Sequence, residues 1–173
     1  MSSKKTKVLC IKALLTAVVM LATMSLQIPV PATSGYIHLG DGMIFIISVF
    51  FGWQYGMVAG AAGSAMADVF TGYVHWAPFT FVIKGLMGYV IGRLTESKGE
   101  HNFFTARNVL VPVLGGAIMV AGYFMSGALL FDSFAVSLTA TVPNLVQAGG
   151  SLVLYYVLGA ALYPRRSFFK IPQ

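Results

Sequence analysis

The chain has 173 residues, of which 57% are apolar and only 9% are charged, and its mean hydropathy is +0.80. A soluble domain carries roughly a quarter charged residues, so this composition excludes a water-exposed fold and indicates a protein surrounded by membrane lipid. The net charge of +6 does not indicate a nucleic-acid partner, because the cations cluster at the ends of apolar segments. We expect a single membrane domain over residues 1–173.

Six apolar segments in succession predict an all-α bundle of six transmembrane helices. About 20 residues are needed for each crossing, and the chain is long enough for six crossings with short loops. Pro29 and Pro31 prevent the first helix from continuing. The predicted spans are residues 8–28, 38–52, 56–70, 76–94, 109–130 and 143–163. The segment before the last span is also apolar, so that helix begins at either Phe134 or Pro143.

The lysines and arginines indicate the orientation of the bundle. If the N-terminus is inside, the N-terminal tail, the turn at 53–55, the loop at 95–107 and the C-terminal tail are all cytoplasmic. Ten of the eleven cations lie in or beside those segments, and the loops expected outside contain none. Because cations are retained on the cytoplasmic side, we predict that both termini are inside (N-in and C-in).

Three ionisable side chains, Asp41, Asp68 and Lys84, lie within the predicted spans. Each costs about 2.5–3.5 kcal/mol to insert into a membrane, so each needs a partner or a function. In the predicted orientation all three lie in the outer half of the bilayer, which indicates a polar cavity open to the outside. Two interpretations remain open: an aspartate pairs with Lys84 and ties helices together, or at least one of the three contacts a ligand.

Further polar and aromatic side chains are expected at the same depth. Asn144 and Gln147 are three residues apart and share a helix face, and their amides can both donate to and accept from a heteroaromatic ring. Aromatic walls with a few aimed polar groups are typical of small-molecule pockets. For His38 a structural role is an equal alternative, and Tyr123 also fits a core position. The candidate substrate-binding residues are Lys84, Asp68, Asn144, Gln147, Trp76, Asp41, His38, Tyr36 and Tyr123.

No enzyme motif is present: the sequence contains no P-loop, no His-Glu-x-x-His and no Gly-x-Ser-x-Gly. We therefore expect no catalytic residue, no metal site and no cofactor in this chain. A membrane enzyme with Asp41 and Asp68 as acid and base is disfavoured, because both carboxyl groups are expected near the outer surface. A self-sufficient secondary transporter or channel for a small solute is the alternative; it would need ionisable groups in the inner half of the spans.

Small residues four positions apart predict close helix contacts. In the third span, Gly56, Gly60 and Ser64 have this spacing and are expected to pack inside the bundle. In the first span, Ala13 and Ala17 have the same spacing on an otherwise lipid-like helix. That face is therefore available for another protein.

Three stretches in this order resemble the S components of energy-coupling factor (ECF) transporters: GYIHLGD at 35–41, GSAMAD at 63–68 and WAPFTFVIKG at 76–85. The PNLVQ stretch at 143–147 is similar too. The resemblance covers nearly the whole chain and implies a six-helix protein of a bacterial cell membrane that binds a micronutrient from outside. It further implies docking through Ala13 and Ala17 onto a transmembrane coupling subunit that carries two cytoplasmic ATPase subunits. Residues 29–37 would form the loop that gates the pocket.

Within that family, the sequence looks closest to the branch for hydroxymethylpyrimidine or pyridoxine-like compounds, with riboflavin- and pantothenate-type members as neighbours. The resemblance therefore implies the high-affinity substrate-capture subunit of an ATP-driven importer for a water-soluble vitamin or precursor. ATP hydrolysis would be carried out by the partner subunits, and this chain would not be an enzyme.

Overall fold

The computed structural model describes residues 3–95 and 103–165. Within these ranges, six helices follow a largely antiparallel course: α1 (Ser3–Ser25), α2 (Gly40–Phe51), α3 (Trp53–Phe70), α4 (Ala77–Thr95), α5 (Ala106–Phe131) and α6 (Phe134–Leu162). Between α1 and α2 lie two short strands, β1 (Gln27–Val30) and β2 (Gly35–His38). Residues 96–102 of the predicted polar loop and the C-terminal cations Arg166 and Lys170 lie outside the described residues.

The two strands form an antiparallel hairpin in a chain whose sequence predicts helices and loops alone. Gln27 pairs with His38 and Val30 pairs with Gly35. A single 3-10 turn (Pro31–Thr33) joins the strands, and the chain then reverses at a residue in the left-handed conformation. The prediction of a loop at residues 29–37 was wrong, because this proline-rich segment satisfies its backbone groups by cross-strand pairing instead.

The hairpin also moves the expected ends of the first two helices. The first helix ends at Ser25 rather than at residue 28, and the second begins at Gly40 rather than at residue 38. His38, expected at the start of a helix, therefore belongs to β2. As a result, strand pairing fixes the backbone of His38 at the end of the bundle.

The last helix begins at Phe134 and runs through Pro143 without interruption, which resolves the boundary that the sequence leaves open. Ser133 caps it, since its side-chain oxygen accepts a hydrogen bond from the backbone N–H of Val136 at 3.3 Å. A proline removes one backbone donor from a helix, and here the helix continues past it. The longer helix brings Ser137 onto the same side as the predicted polar residues of this segment.

Helices α3 and α4 pack closely through small residues. A methyl group on Gly88 would overlap the carbonyl oxygen of Gly56, and one on Gly60 would lie 2.7 Å from the carbonyl oxygen of Lys84. Ser64 is also fully buried. The prediction that the small residues of the third span pack inside the bundle is therefore confirmed.

The outer surface of the bundle is apolar. Helices α1, α5 and α6 are each long and apolar enough to cross a membrane. Their exposed side chains include Leu14, Leu110, Leu129, Val146 and Val153. Exposed apolar patches of this extent are rare in soluble monomers, so this surface is suited to lipid. Helix α3 is rich in small residues that are buried against other helices, and α4 contains the cations Lys84 and Arg93.

A buried ion pair joins α2 to α4. The ammonium nitrogen of Lys84 lies 2.6 Å from Oδ1 of Asp41, and neither side chain is exposed. Asp41 stands in the first turn of α2, where the positive end of the helix dipole also stabilises a carboxylate. The interpretation in which an aspartate pairs with Lys84 therefore describes Asp41.

Breaking this pair should destabilise the protein by about 3–5 kcal/mol, because one buried charge is left without compensation. We expect Lys84→Met to lower the thermal unfolding midpoint of the protein in detergent micelles. Combining it with Asp41→Asn should restore most of the loss, since neither charge then remains. Equal destabilisation of the single and double variants would contradict the pairing.

Candidate ligand-binding site

A cavity of about 40 Å³ lies under the hairpin at one end of the bundle. By the same kind of measure, a space of about 10–15 Å³ holds one water molecule. The hairpin covers it, and the surrounding walls come from α3, α5, α6 and the start of α4. Seven of the nine candidate residues line it: Asp68, Asn144, Gln147, Trp76, His38, Tyr36 and Tyr123. Their role in ligand binding stays a prediction.

Hydrogen bonds from three separate elements hold the hairpin over the cavity. The hydroxyl of Tyr36 donates to Oδ1 of Asp68 at 2.7 Å. The indole N–H of Trp76 donates to the carbonyl oxygen of Thr33 at 3.2 Å. The backbone N–H of His38 donates to the side chain of Gln147 at 3.1 Å. These contacts tie the hairpin to α3, to the start of α4 and to α6.

The amide of Gln147 connects the hairpin to the buried ion pair. Its oxygen accepts from the backbone of His38, and its nitrogen donates to Oδ2 of Asp41 at 2.8 Å. Because one end of the amide must accept and the other must donate, the orientation of this side chain is fixed. Gln147 is therefore both a wall of the cavity and a link to the pair beneath it.

Asp41 and Lys84 lie beneath the cavity rather than among the residues that line it. The Lys84 ammonium is 5.1 Å from the centre of the Tyr123 ring, and Tyr123 in turn lines the cavity. The Tyr123 hydroxyl lies 3.0 Å from that of Thr80. The structure thus places the two charged residues below the cavity, where they support the residues that line it.

His38 is held as a neutral imidazole with a defined tautomer. The backbone N–H of Gly40 donates to Nδ1 at 3.0 Å, so the ring proton resides on Nε2. Burial lowers the pKa of His38 from 6.5 to about 4; the charge of Asp41 opposes this shift, and the charge of Lys84 adds to it. Gly40 has to be a glycine here, because a Cβ would overlap the side chain of Thr23. The ring therefore offers one N–H donor at neutral pH.

Asp68 lies in the last turn of α3 and is only 4% exposed. Its Oδ1 accepts the hydrogen bond from Tyr36, whereas its Oδ2 has no hydrogen-bond partner. The two aspartates predicted from the sequence therefore differ in environment. Asp41 is neutralised by a lysine, whereas Asp68 keeps an oxygen free beside the cavity.

Sequence reasoning missed three polar residues of the wall, Thr33, Thr80 and Ser137. For Ser137 the signal was present. Polar or small residues recur with spacings of three and four along α6, at Ser137, Ala140, Asn144, Gln147 and Ser151. This spacing defines one helix face. A helix that begins at Pro143 leaves Ser137 outside it, so this face is complete only in the helix that begins at Phe134.

The buried neutral state of His38 predicts that stability falls in mild acid. Its folded pKa of about 4 lies below 6.5, so the unfolded chain takes up this proton first as the pH falls. Between pH 7.5 and 5 the loss should be about 2 kcal/mol. We expect His38→Asn, whose side-chain oxygen can still accept from Gly40, to show a correspondingly weaker pH dependence of thermal unfolding.

The matched control is His75→Asn at an exposed position, which should unfold with the pH dependence of the wild type. If His38→Asn lost as much stability in acid as the wild type, burial of this imidazole would not be the cause.

A helical bundle with an apolar outer surface and a small polar cavity under a hairpin defines a membrane protein suited to binding a small solute. The chain belongs to the S components of ECF transporters: the family described as "ECF-type riboflavin transporter, S component" matches residues 3–164. The family indicated by the sequence motifs is thereby confirmed. Its members are transporter subunits and not enzymes.

Two relatives extend over most of the chain. An uncharacterized protein of Pyrococcus woesei, described by its position in the gap 3′ region, is 40% identical over 152 residues, covering 84% of this chain and 97% of its own. The thiamine precursor transporter HmpT of Lactococcus lactis subsp. cremoris is 27% identical over 165 residues, covering 95% and 90% respectively. The second relative is thus named for the transport of a thiamine precursor.

Proposed function

We propose that this chain captures a small water-soluble vitamin or precursor, of the hydroxymethylpyrimidine or pyridoxine type, from outside the cell for an ATP-driven importer. The observation that carries the proposal is the cavity itself, because it combines small volume with several fixed polar groups. The Lactococcus relative, named for a thiamine precursor, supports the same class of ligand.

The volume of the cavity favours a single ring. About 40 Å³ corresponds to roughly three water molecules. That is closer to one substituted six-membered ring than to the three fused rings and sugar-alcohol chain of riboflavin. The aromatic side chains of Trp76 and Tyr123, with ring centres 5.7 Å apart, offer surfaces against which a flat ring can pack. A single-ring vitamin is therefore our preferred ligand within this family.

The charges of the bundle support a six-span topology with both termini in the cytoplasm. Apart from Lys84, the cations among the described residues lie at the end of the bundle opposite the hairpin. They are Lys4, Lys5, Lys7, Lys12, Arg93, Arg107 and Arg165. The positive-inside rule then assigns that end to the cytoplasm and the cavity to the outside. The shortest helix, α2, rises about 18 Å over 12 residues.

The outer face of α1 is suited to docking a partner. Leu15 and Val19 bury the other face against the bundle, whereas Ala13 is exposed and Ala17 is partly exposed. Small residues on a free transmembrane face allow the backbone of a second helix to approach closely. In this proposal the partner is the transmembrane coupling subunit, which carries two cytoplasmic ATPase subunits, and this chain needs no cofactor.

Calorimetric titration of the purified chain with water-soluble vitamins and their precursors tests the proposal. We expect a single-ring compound of the hydroxymethylpyrimidine or pyridoxine type to bind with nanomolar affinity. Asn144→Ala should weaken binding about tenfold, the size of one lost hydrogen bond. Thr139→Ala, at an exposed position of the same helix, is the control and should bind normally. If no vitamin bound and the chain alone drove ion-coupled flux in vesicles, the secondary-transporter alternative would be correct.

Bulky residues on the free face of α1 should separate docking from capture. We expect Ala13→Leu combined with Ala17→Leu to abolish vitamin uptake by cells while leaving the affinity of the purified chain unchanged. Val18→Leu, about 100° further round the helix, should leave both properties intact. Loss of ligand binding in the double variant would show instead that this face belongs inside the chain's own bundle.

A further inference from the structure

An apolar groove on the outer surface of the bundle has no part in the proposed function. It runs between residues 113–124 of α5 and residues 138–152 of α6, and its volume is about 620 Å³. Among the described residues that line it, Thr141 alone has a polar side chain, and that hydroxyl donates to the carbonyl oxygen of Ser137 at 3.2 Å. This α5–α6 groove therefore offers an occupant apolar contacts rather than hydrogen bonds.

Small residues keep the groove open between the two helices. A methyl group on Gly116 would lie 3.3 Å from the Cβ of Ala148, and one on Gly149 would meet no atom within 4 Å. Two larger lining residues, Leu138 and Leu145, are 61% and 55% exposed. The groove is thus open sideways, toward the surface that is suited to lipid.

Contacts between the same two helices close both ends of the groove. At the end assigned to the cytoplasm, the Tyr156 hydroxyl donates to the carbonyl oxygen of Val109 at 2.8 Å. At the hairpin end, the rings of Phe124 and Phe134 lie 6.2 Å apart. From Val113 to Phe124 the helix rises about 16 Å, roughly half of what a membrane-spanning helix covers. A partner helix would have to pass over both closed ends, whereas an acyl chain is narrow and flexible enough to lie between them.

The charges at the two ends favour a lipid of the cytoplasmic leaflet. Arg107 is exposed in the first turn of α5. It lies about 9 Å along the helix from Val113, a distance that the glycerol and ester groups of a phospholipid bridge. A guanidinium group has five donors, so Arg107 can hold a phosphate in addition to its other contacts. Asp132, at the opposite end of α5, would repel the same headgroup.

We propose that the α5–α6 groove binds one acyl chain of an anionic phospholipid from the cytoplasmic leaflet, with the phosphate at Arg107. The site is separate from the cavity under the hairpin but shares its two helices. Phe124 and Leu145 of the groove directly follow Tyr123 and Asn144 of the cavity wall. A lipid held in the groove therefore packs against the same stretches of α5 and α6 that form that wall.

Native mass spectrometry of the purified chain in detergent micelles tests the site with defined lipids. We expect the wild type to retain one dioleoylphosphatidylglycerol per chain. It should bind this lipid about fivefold more tightly than dioleoylphosphatidylcholine, the effect of one cation near a membrane surface. This comparison needs no variant, so it holds even if a substitution prevents folding. Equal retention of the two lipids would overturn the assignment of the phosphate to Arg107.

Filling the groove should remove the lipid. We expect Ala117→Leu to weaken retention about tenfold, because its side chain excludes roughly two methylene groups of the acyl chain. The added lipid should also raise the thermal unfolding midpoint of the wild type but not of this variant. Ala161→Leu makes the same change at an exposed position about 120° round α6 from Gly149. This control should behave as the wild type does.

Arg107→Gln should abolish the preference for phosphatidylglycerol over phosphatidylcholine, whereas Arg165→Gln, the same change beyond the end of α6, should keep it. Undiminished retention by Ala117→Leu would show that the groove is not the site. If the wild type were a dimer that Ala117→Leu made monomeric, with lipid retention unchanged, a second copy of this chain would occupy the groove and the proposal would be wrong.

Discussion

The ion pair between Asp41 and Lys84 places two charges in the centre of an apolar bundle, with neither side chain exposed. The two charges compensate each other only while they stay close together. The pair therefore sets the position of α2 against α4. Gln147 then uses the second oxygen of Asp41 and binds the backbone of the hairpin through its own oxygen. The position of the hairpin thus depends on an interaction that lies one layer below the cavity.

This arrangement gives the two aspartates different roles. Asp41 accepts hydrogen bonds on both carboxyl oxygens, from Lys84 and from Gln147, so neither oxygen is left unpaired. Asp68 receives one, from a tyrosine of the hairpin, and keeps its other oxygen unpaired. In the proposed function, a cavity wall with one unpaired carboxyl oxygen, a neutral imidazole and an amide would distinguish ligands by the pattern of their donors and acceptors.

Much of this arrangement was predictable from the sequence, since lipid restricts the options. The apolar segments gave six helices, and the cost of burying charge drew attention to Asp41, Asp68 and Lys84. Which aspartate meets the lysine was not predictable, because it depends on how far each helix is rotated about its axis. The hairpin was missed because its strands are four residues long, too short for a periodic pattern. Ser137 was missed because a proline more often starts a helix than lies inside one.

The hairpin has a consequence for the kinetics of binding. Its two strands are paired along their whole length, and its contacts with α3, α6 and the residue before α4 are spread over both strands and the turn. In the proposed function, a solute beneath it would leave only when several of these contacts have broken together, so its residence time would depend on the protein as well as on its own bonds. Weakening any one contact would therefore speed both release and entry.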